Sequence, residues 1–383
     1  MRPAAAIALA ATLVACSGSS APGPTPAQLA PSGLAELSAH YGSYRTDTGD
    51  TLVVARLGWF FDMETSAYRT IYVQHAPDDF AIGCRFGEPS PKCADLKFTA
   101  GTLTVTDSAH KTTVAHRVEY AQTDVTIPAA GAQLAGTITE TGGSARRGGI
   151  VIVHGSEPGE RFFYDIWVGL YTSLGLAVLT YDKRGNGSST GRYPGEFPTA
   201  DALQTYADDA SAALSFLAAR SDIDPSRVGF HGGSQGGWTV PLAISRHGGA
   251  AFAVLVSAPA TTVDQTDLWS GFSGGGESKP TQSEAEMLAA VRATHTGYDP
   301  MPALRALSVP TLWVLGANDR TVPTKVCVEI LAAMNKPNFK VQLVPTGHGL
   351  LVNPTGLLSD DNTSVGLAPQ LVPTIRMWLG AIP

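Results

Sequence analysis

Five short apolar runs shape the second half of this sequence: residues 149–154 (GIVIVH), 177–181 (AVLTY), 228–231 (VGFH), 253–257 (AVLVS) and 311–316 (TLWVLG). They are apolar throughout and do not alternate, so each suits a strand covered on both faces, as in the middle of a parallel sheet. Helical periodicity fills the gaps. It is clearest over residues 199–220, where Ala, Leu and Phe recur at spacings of three and four before SDIDP (221–225) stops the helix. Alternating strand and helix over about 250 residues predicts a doubly wound, mostly parallel α/β domain. Residues 123–128 and 133–139 form a hairpin at its start, so its span is 121–383. No internal repeat is visible.

Residues 34–120 have a different texture. TLVVARL (51–57), TIYVQH (70–75) and TLTVTD (102–107) are β-branched runs separated by Gly, Pro and Asp, the pattern of a small antiparallel β domain. His40, His75, His110 and His116 are scattered through it and are assigned surface or packing roles.

The first 33 residues do not belong to either domain. Met1 and Arg2 precede an uncharged run ending at Ala15, too short to cross a bilayer of about 30 Å as a mature helix, so residues 1–15 are expected to be a secretory signal. The run ends in LVAC (13–16), which resembles the lipobox of bacterial lipoproteins; that resemblance implies lipidation of Cys16. Residues 16–33, rich in Ser, Pro and Gly, then read as a flexible tether. The chain is therefore expected to be exported as a cell-envelope lipoprotein, touching the membrane only through this anchor. In an oxidising compartment Cys84 and Cys93 are candidates for a disulfide, because no second Cys/His pair completes a zinc site; Cys327, in an apolar run, is expected to be a buried free thiol. Apolar residues at 44% supply a large core, and a formal charge of −7 argues against a nucleic-acid partner.

The chemistry centres on VGFHGGSQGGW (228–238). Gly232, Ser234 and Gly236 satisfy G-x-S-x-G between a strand and a helical stretch at 238–246, the setting of a sharp turn that pushes the serine hydroxyl out at a helix N-terminus. A serine needs a base. His348, between two glycines after the strand-like run 339–344, is in place to supply it, and Asp319, after the strand 311–315, is the acid that would orient it. Ser234, Asp319 and His348 are thus expected to form a catalytic triad. Backbone N–H groups of Gln235 and Ser156 are expected to form the oxyanion hole, with Glu157 the nearest competitor of Ser156. His154 is assigned to loop support. This chemistry requires no cofactor and no metal.

Residues 123–353 resemble bacterial α/β-hydrolases of the esterase and acylaminoacyl-peptidase-like group. The resemblance is carried by His154-Gly155-Ser156 with Arg161, YDKRGNGS (181–188), Gly232 to Gly236, Gly316 to Asp319, and Gly347-His348. It implies an α/β-hydrolase fold and structural roles for Asp182 and Arg184; Asn318 and Arg320 are likewise taken as structural. Glu157 stands where many such proteins have glycine. About 50 residues between Pro259 and Thr311 are expected to hold a cap-like insertion, about 261–305, whose Trp269, Phe272 and Tyr298 either line an acyl pocket or pack the cap itself. The expected activity is cleavage of small-molecule esters or acyl compounds. A serine exopeptidase or acyl-peptide hydrolase is the second reading, and an inactive envelope binding lipoprotein the third.

Overall fold

The structure, a computed structural model, describes residues 35–382 apart from 57, 74–78, 88–89, 143–145 and 196–197. The leader, Cys16, the tether and His75 lie outside the described residues. Eight antiparallel strands come first: β1 (Gly42–Thr46), β2 (Thr51–Ala55), β3 (Trp59–Asp62), β4 (Tyr68–Val73), β5 (Phe80–Gly83), β6 (Lys92–Thr99), β7 (Thr102–Asp107) and β8 (Thr112–Arg117). Each pairs with the next, and β8 returns to β1 with Arg117 opposite Tyr44, closing a barrel. Closure leaves no open sheet edge. Cys84, just past β5, is disulfide-bonded to Cys93 in β6.

The period of two along β2 gives the barrel two apolar surfaces. Leu52 and Val54 point inward to meet Phe60, Phe80, Ile82 and Leu103. Val53 and Ala55 point outward and join Trp59, Phe61 and Met63 in a cluster shared with Ile150, Leu170, Tyr171 and Leu371. All five β2 residues are therefore buried. Gly169 lies at this contact, where a Cβ would come within 2.7 Å of the Val53 side chain.

The second sheet is built from β9 (Tyr120–Ala129), β10 (Ala132–Thr141), β11 (Arg147–Val153), β12 (Ala177–Tyr181), β13 (Ile223–Gly233), β14 (Ala253–Val256), β15 (Thr311–Gly316) and β16 (Phe339–Val344). Its spatial order is β16-β15-β14-β13-β11-β12-β10-β9. Strands β11 to β16 pair in parallel, while the β9–β10 hairpin adds an antiparallel edge. The principal helices are α1 (Asp165–Ser173), α2 (Ala200–Ala218), α3 (Gly236–His247), α4 (Val263–Ser273), α5 (Glu284–Ala293), α6 (Met301–Ala306), α7 (Thr324–Met334), α8 (Leu358–Asp361) and α9 (Leu371–Ala381). One face of the sheet packs on α2 and α3 through residues such as Val151, Phe230, Leu214 and Val240. The other packs on α1, α9 and the outer face of the barrel. No helix among the described residues is long and apolar enough to cross a membrane.

Parallel register brings the strand ends level. Val153 is opposite Gly232, Gly233 opposite Val256, Val256 opposite Val314, and Gly316 opposite Val344. The loops leaving β11, β13, β14, β15 and β16 consequently emerge along one edge, the carboxyl-end position where open α/β sheets bind ligands.

A disulfide closing so short a loop stabilises by about 2–3 kcal/mol, chiefly through the unfolded chain. Replacing Cys84 and Cys93 together with serine is expected to lower the free energy of unfolding by that amount, measured as an earlier urea midpoint.

Candidate active site

Ser234 occupies the turn between β13 and α3 with φ 50°, a left-handed conformation that non-glycine residues rarely adopt. Its surroundings force the turn. A Cβ at Gly232 would sit 2.9 Å from the Val240 side chain, and one at Gly237 would sit 2.7 Å from Ala258 Cβ. The strand and helix can pass this closely only without those side chains. The Ser234 N–H donates to Val256 O at 3.1 Å, tying the turn to the end of β14.

The three residues expected to act together are within hydrogen-bond reach. His348 Nε2 is 3.2 Å from Ser234 Oγ, and His348 Nδ1 is 2.8 Å from Asp319 Oδ2. Asp319 is buried, and its other oxygen accepts the N–H groups of Thr321 and Val322, each at 2.8 Å. One carboxylate thus fixes both its own loop and the imidazole. Ser257, at φ 45°, donates its hydroxyl to His348 O at 2.6 Å. Gly316 completes the approach of the two loops: a Cβ there would lie 2.5 Å from Gly347 O.

Burial acts to lower the His348 pKa, but the charge and hydrogen bond of Asp319, with the charges of Asp361 and Glu157, outweigh it and raise the pKa above its ordinary value. Asp361, in α8, is a second buried carboxylate near the imidazole. Burial pushes its pKa up to about 6, against the opposing effects of the Asn353 bond (2.7 Å) and of His348. Asn353 is itself buried and also binds Leu357 O, Gly356 N and Thr355 N, so it organises the whole segment after His348.

The loop after β11 forms the facing wall. Lys183, buried, donates from Nζ to Gly155 O at 2.8 Å, Glu157 O at 3.1 Å and Gln235 Oε1 at 3.2 Å, with its ammonium 4.4 Å from the Tyr206 ring centroid. It therefore joins the 155–157 loop to the residue that follows Ser234. Neither the Ser156 nor the Gln235 N–H is taken up by a protein acceptor among the described residues, whereas Gly155 N–H donates to Glu157 Oε1 at 3.2 Å. Gly155 and Glu157, rather than Ser156, line the cleft at Ser234. His154 binds Tyr181 O through Nε2 at 2.6 Å; burial and the Lys183 charge lower its pKa to about 3, so it is a neutral loop support.

The cleft itself is small, about 60 Å³, and walled by Phe163, Tyr164, Trp167, His231, Val256 and Leu350. His231 binds the Tyr171 hydroxyl through Nδ1 at 2.8 Å, and burial lowers its pKa to about 3. The cap aromatics are elsewhere. Trp269 and Phe272 pack with Met287, Leu288 and Val291, and Tyr298 packs against the cluster of Leu203, Trp238 and Val263. Of the two roles open to them, core packing of the insertion is the one they take. Trp269 adds a specific bond, from Nε1 to Asp319 O at 3.1 Å.

Asp182 and Arg184 are structural. Asp182 accepts from Arg161 N and Ser188 N, both at 2.9 Å, and Arg184 pairs with buried Asp209 through Nε at 2.9 Å. Asn318 binds Asn353 O at 2.9 Å, and Arg320 binds Thr355 O, holding the acid loop to the segment after His348. Lys183 and Asp361 have no role at the site in the sequence reading, and Glu157 has one only as the alternative to Ser156 in the oxyanion hole. Only the glycine that many similar proteins carry at position 157 marked Glu157 as unusual.

This architecture, a mostly parallel sheet with a sharp strand–serine–helix turn and an acid and histidine on later strand ends, is the α/β-hydrolase fold used by serine esterases and peptidases. Residues 164–351 match the prolyl oligopeptidase family. The chain is 30% identical over 210 residues to an uncharacterized protein of Mycobacterium tuberculosis, found in strains H37Rv and CDC 1551; the match covers 54% of this chain and 64% of that protein. It thus spans less than two thirds of the relative. Among solved structures, the Pyrococcus furiosus esterase Pf2001 is similar with a TM-score of 0.50 at 16% identity, covering 69% of this chain and 91% of that one.

Because the Asp361 charge helps raise the His348 pKa, Asp361→Asn is expected to lower it. The acid limb of a kcat/KM profile then moves to lower pH, by up to about one unit; an NMR titration of His348 checks the shift directly.

Proposed function

We propose that the protein is a serine hydrolase cleaving carboxylic esters of short acyl groups through an acyl-enzyme. The observation that carries this reading is the continuous chain Ser234 Oγ, His348 imidazole, Asp319 carboxylate at the mouth of a small aromatic cleft. Ser234 Oγ attacks the acyl carbonyl as His348 Nε2 takes its proton. The imidazolium then returns that proton to the departing alkoxide, leaving the acyl group on Ser234. Water enters, gives a proton to His348, and the hydroxide attacks the acyl carbon; the carboxylic acid leaves as Ser234 recovers its proton. The Gln235 N–H, directly after the nucleophile, is assigned to the oxyanion together with the Ser156 N–H, whose loop neighbours Gly155 and Glu157 line the cleft. Lys183 holds them in place by occupying the carbonyls of Gly155 and Glu157 and the Gln235 side chain.

A peptidase or acyl-peptide hydrolase uses the same chemistry, and the match to the prolyl oligopeptidase family favours that second reading. The limited size of the cleft favours a small acyl group in either reading. Export as a lipid-anchored protein is part of the proposal and is supported by the Cys84–Cys93 disulfide, a bond that persists in oxidising compartments. Fatty-acid labelling in cells that survives Cys16→Ala would refute the anchor.

A fluorophosphonate probe is expected to label Ser234 in the wild type and not in Ser234→Ala. Hydrolysis of p-nitrophenyl acetate by that variant should fall by about 10³-fold or more. Lys183→Met is expected to lower kcat by about 10- to 100-fold with little change in KM, since the donors it positions act on the transition state.

A further inference from the structure

Glu157 poses an electrostatic problem for an acyl hydrolase. Glu157 lines the same cleft as Ser234 and is only 8% exposed. A Cβ placed on Gly155 would collide with Glu157 Oε2 and would also lie 3.5 Å from Ser234 Cβ, so the carboxylate and the nucleophile's side chain are within about 6 Å of each other. Its influence reaches the base, since the Glu157 charge is among those raising the His348 pKa. Among the described residues no Lys, Arg or His forms an ion pair with it. Lys183, which does reach this residue, bonds its backbone carbonyl.

Acyl transfer develops negative charge on the substrate oxygen, and in a water-poor cleft a fixed anion nearby opposes that charge strongly. The opposition disappears if the substrate itself carries a cation beside the carboxylate. Oε1 is already held by the Tyr164 hydroxyl and the Gly155 N–H, whereas Oε2 accepts no hydrogen bond among the described residues. Phe163, Tyr164 and Trp167 line the same wall, and aromatic rings attract cations. The room is small, so the cation must be close to the reacting carbonyl.

We infer that Glu157 is the binding group for an ammonium on the acyl portion of the substrate, so that the preferred substrates are α-aminoacyl compounds with a small side chain. This rests on the hydrolase reading above and narrows it. The proposal covers an aminoacyl ester or a peptide with a free N-terminus equally, because both present the same ammonium one carbon from the carbonyl.

The test compares L-alanine methyl ester with methyl isobutyrate, which replaces the ammonium by a methyl group, at pH 7 in wild type and Glu157→Gln. Expected in the variant is a drop of about 10- to 100-fold in the ratio of kcat/KM for the alanine ester over methyl isobutyrate, the size of a lost charge-assisted bond, beyond any change common to both esters that follows from the altered His348. An unchanged ratio, whether both esters lose equally or neither loses, would overturn the inference. A second measurement uses the wild type alone: isopropylammonium should compete with substrate about tenfold better than isopropanol, and equal inhibition by the two also overturns it. Fluorophosphonate labelling of Ser234 separates the failures. Labelling without charge discrimination removes the cationic subsite only, whereas no labelling and no ester cleavage removes the hydrolase reading with it.

Discussion

A non-glycine residue at φ 50° is held against a cost of about 1–3 kcal/mol, and the structure around Ser234 is arranged to hold it. Gly232 lets β13 and α3 pass closely, Gly237 lets α3 approach Ala258 and Pro259 beyond β14, and the Ser234 N–H is bonded to β14. If either glycine carried a side chain, the helix would have to move away from the sheet and the hydroxyl would swing with it. The other parts of the site depend on this fixed point. Parallel register sets the neighbouring strand ends at the same level, so the loops bearing Gly155, Ser257, Asp319 and His348 converge on the turn. Ser257 repeats the device, with φ 45° on the adjacent strand, and uses its strained position to hold the backbone of His348.

Around this point the charges form a graded set. Asp319 is saturated by two N–H groups and the imidazole, and so acts as a fixed anchor. Asp361 is bonded through Asn353 and its pKa is pushed to about 6, so its charge varies near neutrality. Glu157 faces the cleft. Three carboxylates thus surround one histidine, and the fold gives each a different degree of freedom. Lys183 opposes them from behind the 155–157 loop, where its bonds to the Gly155 and Glu157 carbonyls and to the Gln235 side chain shape backbone direction.

Much of this was legible in the sequence because it is local. The apolar runs 177–181 and 311–316 coincide with β12 and β15, and the helical stretch 199–220 contains α2. The turn at Ser234 announces itself through small residues on both sides, and the order serine, acid, histidine follows from where strand ends fall. Closure of the barrel was not legible, since the β1–β8 pairing joins residues as far apart as Tyr44 and Arg117 and leaves no local mark. Asp361 was hidden for a related reason: it reaches His348 only because Asn353 folds the intervening chain back. The cap aromatics were ambiguous because an aromatic side chain fills a core and lines a pocket with the same composition. Only the packing of Trp269 and Phe272 on Met287 and Val291 decides between the two.

The doubly buried strand β2 has a further consequence. Its inward residues hold the barrel together and its outward residues lie in the same apolar cluster as the sheet and α1, which continues the cleft wall of Phe163, Tyr164 and Trp167. Asp165, at the start of α1, accepts the Arg56 N–H at 2.9 Å, so the connection from barrel to wall is polar as well as apolar. A barrel attached in this way cannot behave as a hinged lid or as an interchangeable module. Inheritance of the hydrolase without it would expose a large apolar face and slacken the wall that sets the size of the acyl group. The two parts are therefore constrained to vary together, and a change in selectivity can originate in a barrel residue that never meets the substrate.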